Sequence, residues 1–161
     1  MMTPRIVRLE AKTLVGISTK MSLGENRTYQ LWNGFMKLRH QIAHQVLPGL
    51  YSLQIYDEYF LKRPFTPDTI FEKWAAVEVT ELARLPEGMQ ALNLEAGLYA
   101  VFTHKGHTSG FQHTMNYIYG IWLPASGYQL DERPHFELMG DAYLGQEHPD
   151  SEEDVYVPIK R

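Results

Sequence analysis

The chain has 161 residues, which is enough for one domain with its own hydrophobic core. It contains no cysteine, so disulfides, cysteine nucleophiles and thiolate metal sites are excluded, and a reducing compartment suits it. The net charge is −4 without a basic cluster, which argues against nucleic-acid binding. No apolar run reaches the length of a signal peptide or a membrane span, so we expect a cytoplasmic protein without membrane contact.

The first half of the sequence predicts a strand, a helix and two further strands. Arg5–Met21 is rich in β-branched residues and predicts extended structure. Apolar residues keep helical spacing from Thr28 to about Val46, and Pro48-Gly49 ends the helix. The two strands that follow are predicted at Leu50–Asp57 and Phe71–Thr80, with a proline-containing loop at Lys62–Asp68 between them and a break at Leu85–Met89.

The second half predicts the same order of elements. Gly97–Lys105 alternates like a strand, and an apolar stripe from Phe111 to Trp122 predicts a helix that ends before Pro124. We interpret the acidic stretch Glu147–Asp154 as a solvated loop. The last two strands are predicted at Pro134–Gly140 and Asp154–Lys160.

The two halves align with each other. The segment TLVGISTK (Thr13–Lys20) matches LYAVFTHK (Leu98–Lys105) at an offset of 98 − 13 = 85 residues, although two amphipathic strands can also resemble each other by chance. We therefore interpret residues 1–161 as one domain with pseudo-repeats of about 1–82 and 83–161. Because one such unit cannot cover its own sheet, two units are expected to form a continuous antiparallel sheet with a groove between the helices.

The order of several short motifs resembles the GyrI-like family, also called the AraC-type effector-binding family. The first half fits through LVGIS (Leu14–Ser18) and the Trp32–Phe35 helix. The motifs of the second half are LPEGM (Leu85–Met89), AGLYAVFTHKG (Ala96–Gly106), YGIWLPASGYQL (Tyr119–Leu130), the pair Phe136-Glu137, and VYVPIK (Val155–Lys160). The resemblance covers nearly the whole chain.

This resemblance implies an α+β fold, in which a duplicated strand–helix–strand–strand unit forms a curved antiparallel sheet with two main helices and a central cleft. It also implies binding of small, often hydrophobic and cationic molecules in that cleft. Many members are the sensing half of a transcription regulator. The sequence shows no helix-turn-helix segment, so we expect no direct contact with DNA.

Glu137 is the residue best suited to hold a ligand charge. Strand alternation places it on the face opposite Phe136 and Leu138, which by itself is typical of a solvated position. The resemblance implies instead that this glutamate points into the cleft. Among aromatic rings its carboxylate would be poorly solvated, so its pKa is expected to rise until a cation pairs with it. Ring faces would add cation–π attraction.

Aromatic residues at helical and strand positions are the candidates for the rest of the ligand site. Each of them can also be interpreted as a core residue, because Trp, Tyr and Phe at such spacing also fill hydrophobic cores. The candidates are Trp32, Phe35, Tyr51, Tyr56, Trp74, Tyr119 and Trp122, with Tyr119 and Trp32 favoured.

No metal, cofactor or serine-hydrolase site is expected. His40 and His44 have the i, i+4 spacing of two metal ligands on one helix, but Gln41 stands where a metalloprotease has glutamate. We interpret these histidines as surface residues. A G-x-S-x-G motif is absent from the sequence.

Three hypotheses follow. The first is a stand-alone binding module for hydrophobic, cationic small molecules, acting alone, with a protein partner or as a homodimer. The alternative comes from the resemblance, because some GyrI-like proteins resemble hydrolases of strained electrophilic compounds. In such a hydrolase the same glutamate would act as general base and a tyrosine as hydrogen-bond donor, and a raised pKa of the glutamate suits either role. A third class is inhibition of another protein through an exposed surface, for which no long amphipathic segment is evident.

Overall fold

The structure is a computed structural model and describes residues 2–161, apart from the side chain of Thr108. Within this range the chain forms nine strands and two main helical regions. The second helical region starts as α2, passes through a π-helical turn at Ile118–Trp122 and ends as α3. The elements are β1 Arg5–Leu9, β2 Lys12–Met21, α1 Thr28–Leu38, β3 Leu50–Ile55, β4 Phe71–Val79, β5 Gln90–Leu94, β6 Gly97–Lys105, α2 Phe111–Tyr117, α3 Leu123–Ser126, β7 Gln129–Leu130, β8 His135–Met139 and β9 Glu152–Lys160.

The α+β architecture with a duplicated unit is confirmed. The main antiparallel sheet has the order β1-β6-β9-β8-β3-β4-β2-β5, and the short β7 pairs with β9. The strands β2, β3 and β4 with α1 form one unit, and β6, β8 and β9 with α2 form the other. The two units join where β3 pairs with β8, with Ser52 opposite Glu137.

The two outermost strands are exchanged between the units. β1 precedes the first unit but pairs with β6 of the second, whereas β5 precedes the second unit but pairs with β2 of the first. The sequence pattern did not indicate β5 as a separate strand. Its five residues alternate only weakly, and Leu94 is its one fully buried side chain.

Strand alternation divides the core between the two faces of the sheet. On one face, α1 covers residues such as Val15 and Val77, and α2 covers residues such as Phe102 and Val157. The opposite face carries a cluster that contains Leu53, Trp74, Tyr99 and Phe136. The centre of the helix-bearing face lies between the two helices, and this is where a groove was expected.

The predicted end of the first helix is wrong. The helix α1 ends at Leu38 and is followed by a single 3₁₀ turn at Arg39–Gln41, after which Ile42 has extended backbone angles. The chain then runs beside the end of β4, since the Val46 amide donates to the Glu78 carbonyl at 2.8 Å. Pairing with this strand therefore replaces the last helical turns.

The histidine pair is also placed differently from its predicted position. His44 lies beyond the helix with a φ of 64°, and its Nε2 is 3.2 Å from Glu81 Oε1. His40 and His44 therefore do not share a helical face. Among the described residues, no cluster of three His, Asp or Glu side chains is close enough to hold a metal ion.

The second helical region runs past its predicted end at Pro124. Proline is tolerated in the first turn of a helix because its missing N–H would have no intrahelical partner there. Pro124 lies in the first turn of α3, and Gly127 then ends the segment in a left-handed conformation with a φ of 81°. Within residues 2–161, no helix combines the length and apolar character that a membrane span requires.

Candidate functional site

A cavity of about 770 Å³ lies between the two helices, on the centre of the helix-bearing face of the sheet. We call it the cleft. Its volume falls within the range of about 300–1,000 Å³ that small-molecule sites occupy. The sheet forms its floor, α2 forms one wall, the chain leading into α1 forms another, and the loop after β3 adds aromatic rings. Its lining includes Met21, Thr28, Gln54, Tyr56, Phe60, Phe65, Phe71, Lys73, Phe111, Met115, Tyr119, His135, Glu137 and Val155.

Glu137 lies on the floor of the cleft. Alternation along β8 directs its side chain to the helix-bearing face, while Phe136 packs in the cluster on the other side. The Glu137 side chain is only 12% exposed, and its Oε1 accepts a hydrogen bond of 3.1 Å from Gln54 Nε2. Burial raises the pKa of Glu137, although nearby Lys73 and the Gln54 hydrogen bond oppose the rise.

Lys73 accompanies Glu137 on the floor of the cleft and was not among the residues predicted for the site. Its Nζ is 4.0 Å from Glu137 Oε1, and its side chain is 9% exposed. Burial lowers the pKa of Lys73, while the negative charges of Glu137 and Glu153 act to raise it. The expected single carboxylate is therefore half of a loosely paired couple of opposite charges.

A second carboxylate, Glu153, influences this couple from the neighbouring strand. The acidic stretch that was interpreted as a solvated loop contributes Glu152–Asp154 to β9, because these residues pair with β6. Burial, together with the negative charge of Glu137, raises the pKa of Glu153 to about 7, and Lys73 partly opposes this. Glu153 therefore titrates near neutral pH, which the sequence pattern did not indicate.

Aromatic rings and a neutral histidine form the sides of the cleft. The rings of Tyr56 and Phe60 stack with centroids 4.0 Å apart, and Tyr56 meets His135 edge-on at 5.0 Å. The Tyr119 hydroxyl and His135 Nδ1 share a hydrogen bond of 2.8 Å. Burial, with a contribution from Arg133, lowers the pKa of His135 to about 3, so this imidazole is neutral at ordinary pH.

Three of the eight predicted ligand residues, Tyr56, Tyr119 and Glu137, line the cleft. The structure places the other five outside that lining: Phe35, Tyr51 and Trp74 are buried in the core, and Trp32 and Trp122 are partly buried against it. Phe35 is fully buried between α1, to which it belongs, and the sheet, and Trp32 meets it edge-on at 5.7 Å. Trp122 packs edge-on against Phe102 at 5.1 Å.

Strand parity explains the remaining two positions. Tyr51 and Trp74 belong to the cluster on the opposite face of the sheet, where the Tyr51 hydroxyl donates to Glu78 and the Trp74 indole N–H donates to Glu72. Ser52, Gln54 and Tyr56 have one parity, so Tyr51 could not share their face.

The alternation of side chains along β4 marks Lys73 as an unusual residue. In β4 the positions Phe71, Lys73, Ala75, Val77 and Val79 share one face, and all five residues are buried. A lysine in an otherwise apolar buried row needs a partner or a function. Which carboxylate it meets depends on the pairing of β4 with β3 and of β3 with β8, and the sequence does not reveal this register.

Comparison with known proteins gives a consistent picture. A family model described as a GyrI-like small molecule binding domain matches residues 2–160. The transcriptional regulator BrlR of Pseudomonas aeruginosa is 32% identical over 158 residues, which are 98% of this chain and 56% of BrlR. The chain thus spans little more than half the length of this relative.

Two solved structures share the fold. The structure of SAV2435 bound to tetraphenylphosphonium has a TM-score of 0.71 at 20% identity and covers 99% of this chain and 94% of that one. The C-terminal domain of EcmrR has a TM-score of 0.74 at 10% identity, with 100% of this chain and 99% of that one covered.

Proposed function

Because the chain belongs to the GyrI-like family of small-molecule-binding domains, we propose that its cleft binds hydrophobic organic cations and that Glu137 supplies the counter-charge. The observation that carries this proposal is a buried carboxylate on the floor of an aromatic cavity. Such a group is poorly solvated before the ligand arrives, so pairing with a cation relieves a cost that is already present.

The Glu137 carboxylate can accept a ligand cation although Lys73 lies near it. The 4.0 Å separation from Lys73 exceeds the range of a hydrogen bond, and Gln54 reaches only Oε1. Among the described residues, no hydrogen bond or ion pair reaches Glu137 Oε2. A ligand cation would therefore approach this second oxygen while competing with Lys73 for the negative charge.

Ring faces around the carboxylate supply the second part of the interaction. Tyr56, Phe60 and Tyr119 line the cleft, and a cation within about 6 Å of a ring centroid gains cation–π attraction. The rings also offer apolar surface to a lipophilic ligand, at roughly 25 cal/mol for each Å² buried. A delocalised cation with aromatic substituents fits both requirements.

SAV2435, one of the proteins that this chain resembles in fold, was solved with tetraphenylphosphonium, which is such a cation. We propose the same ligand class for this chain, which would act as an effector sensor or as a sequestering protein. In either role we propose that the chain itself contacts the small molecule and not DNA, because its net charge is −4 and its sequence has no basic cluster.

Isothermal titration calorimetry with two ions of the same shape and opposite charge tests the proposal. Tetraphenylphosphonium should bind at one site, tetraphenylborate should bind at least tenfold more weakly, and Glu137→Gln should weaken phosphonium binding at least tenfold. Glu87→Gln, at an exposed position, is the matched control and should change nothing.

Equal affinity for the two ions, or full phosphonium affinity in Glu137→Gln, would contradict the proposal. The same preparations can be offered a strained electrophile such as an epoxide. Turnover that depends on Glu137 would favour the hydrolase alternative instead.

A further inference from the structure

The amine of Lys73 lies in the cleft but has no role in the binding of a cation. Its amine lies on the floor of the cleft with its side chain 9% exposed, and Glu137 is its only described ion-pair partner. Among the described residues, no group accepts a hydrogen bond from the amine. A cation-binding cleft gains nothing from a fixed positive charge beside its carboxylate, so the lysine invites a separate explanation.

We propose that Lys73 captures hydrophobic aldehydes in the cleft as a reversible imine, with Glu137 as the proton donor and acceptor. The inference rests on the proposed function in using the same cleft and the same carboxylate, but it does not require a cationic ligand. The ligand class is an apolar aldehyde with an aromatic or conjugated group.

The surroundings favour the neutral amine that such a reaction needs. A lysine removed from water in an apolar pocket loses part of its preference for the charged form, and this is how amines become nucleophiles in proteins. Burial lowers the pKa of Lys73. An exposed lysine at its ordinary pKa of about 10.4 is neutral in only about 0.04% of molecules at pH 7, and each unit of lowering multiplies that fraction by about ten.

The Lys73–Glu137 couple carries the one proton that the reaction must move. With the amine neutral and the carboxyl protonated, the nitrogen lone pair forms a C–N bond to the aldehyde carbon, and the carbonyl oxygen takes the Glu137 proton. The nitrogen then returns a proton to the Glu137 carboxylate, which leaves a neutral carbinolamine.

The second stage releases water. Glu137 protonates the hydroxyl group, the C–O bond breaks and water departs, while the nitrogen lone pair closes the C=N bond. The products are a protonated imine and the Glu137 carboxylate, so atoms and charge balance without an oxidant or reductant. The cationic imine would lie beside its counter-charge, in a cleft whose rings suit a cation.

Reductive trapping on the full chain tests this inference. The protein is incubated at pH 7 with cinnamaldehyde and sodium cyanoborohydride, and the modified lysine is located by peptide mass spectrometry. We expect one adduct per chain at Lys73, formed at least tenfold faster than at any exposed lysine. Lys73→Arg keeps the charge and should lose the adduct, whereas Lys37→Arg on the exposed side of α1 should keep it.

Glu137→Gln should slow the adduct at Lys73 at least tenfold, because the proton relay is lost. Adducts spread over exposed lysines without preference for Lys73 would overturn the inference. The location of the adducts is measured on the wild-type protein, so this test does not depend on whether a variant folds. Phosphonium binding without labelling at Lys73 would refute the imine alone. Labelling without phosphonium binding would refute the cation proposal alone.

Discussion

The distance between Lys73 and Glu137 sets the strength of their electrostatic attraction. Two unit charges 4.0 Å apart attract each other by about 4 kcal/mol at an effective dielectric constant of about 20. Either group can lose its charge when its partner is removed, so the measurable coupling is smaller. We expect Glu137→Gln to lower the free energy of unfolding by about 1–3 kcal/mol, since it leaves the buried amine without a counter-charge.

A double-mutant cycle isolates this interaction. Lys73→Met combined with Glu137→Gln should recover part of the loss, because an apolar side chain then replaces the uncompensated amine. Urea denaturation at pH 7 of the wild type, both single variants and the double variant gives a coupling energy that we expect to be about 1–3 kcal/mol.

The pair of Lys12 and Glu78 is the matched control. Its atoms are 3.4 Å apart, but its side chains are 24% and 21% exposed, so solvent screening should keep the coupling below about 1 kcal/mol. If the free energies of Lys73→Met and Glu137→Gln add to within about 0.5 kcal/mol, the two groups do not act as a couple. The electrostatic account of the cleft would then be wrong.

Three further predictions concern other groups. Between pH 4.5 and 7 the unfolded chain has released the proton that Glu153 keeps in the folded chain, so the stability of the fold decreases as pH rises. Glu153→Gln should remove this decrease. In thermal unfolding, the variant should be more stable than the wild type by about 1 kcal/mol at pH 8 and equally stable at pH 4. An unchanged pH slope would contradict this. Tyr119→Phe leaves the buried His135 nitrogen unpaired and should cost about 1–2 kcal/mol in urea denaturation, with phosphonium affinity changed by less than threefold in calorimetry. Phe35→Leu should cost about 1 kcal/mol and leave that affinity within twofold, and a larger loss of affinity would return Phe35 to the ligand site.

Local patterns were sufficient for much of the fold. Alternation and helical spacing identified the strands and helices of both units, and the 85-residue offset relates β2, which starts at Lys12, to β6, which starts at Gly97. Apart from the helix that continues past Pro124, the departures occur where pairing with a distant strand decides the local structure. The segment after Gln41 leaves the helix because it pairs beside β4, and β5 exists because β2 offers it an edge.

For the cleft, too, some features follow from local patterns and others depend on strand pairing. Parity along β8 places Glu137 on the helix-bearing face, and parity along β3 extends to Tyr56. The same rule sets Tyr51 apart from Tyr56 and Trp74 apart from Lys73, so the members of each pair could not both face the cleft, but which member faces it depends on strand register. The partnership of Glu137 with Lys73 depends on the register of three strands, which no local pattern specifies.

The helical candidates failed to reach the cleft for another reason. A helix that packs on a sheet buries one stripe of side chains, and a periodic pattern does not say which aromatic residue lies under the helix and which lies at its edge. Phe35 lies in the buried contact with the sheet and Trp122 packs against Phe102, whereas Tyr119 lines the cleft.

The position of a bound cation is the most direct test of the proposed site. A crystal structure of the protein with tetraphenylphosphonium should place the phosphorus atom within about 6 Å of the Glu137 carboxylate, with phenyl groups against Tyr56 and Tyr119. A cation bound outside the cleft, or one in the cleft with Glu137 turned away towards solvent, would contradict the account.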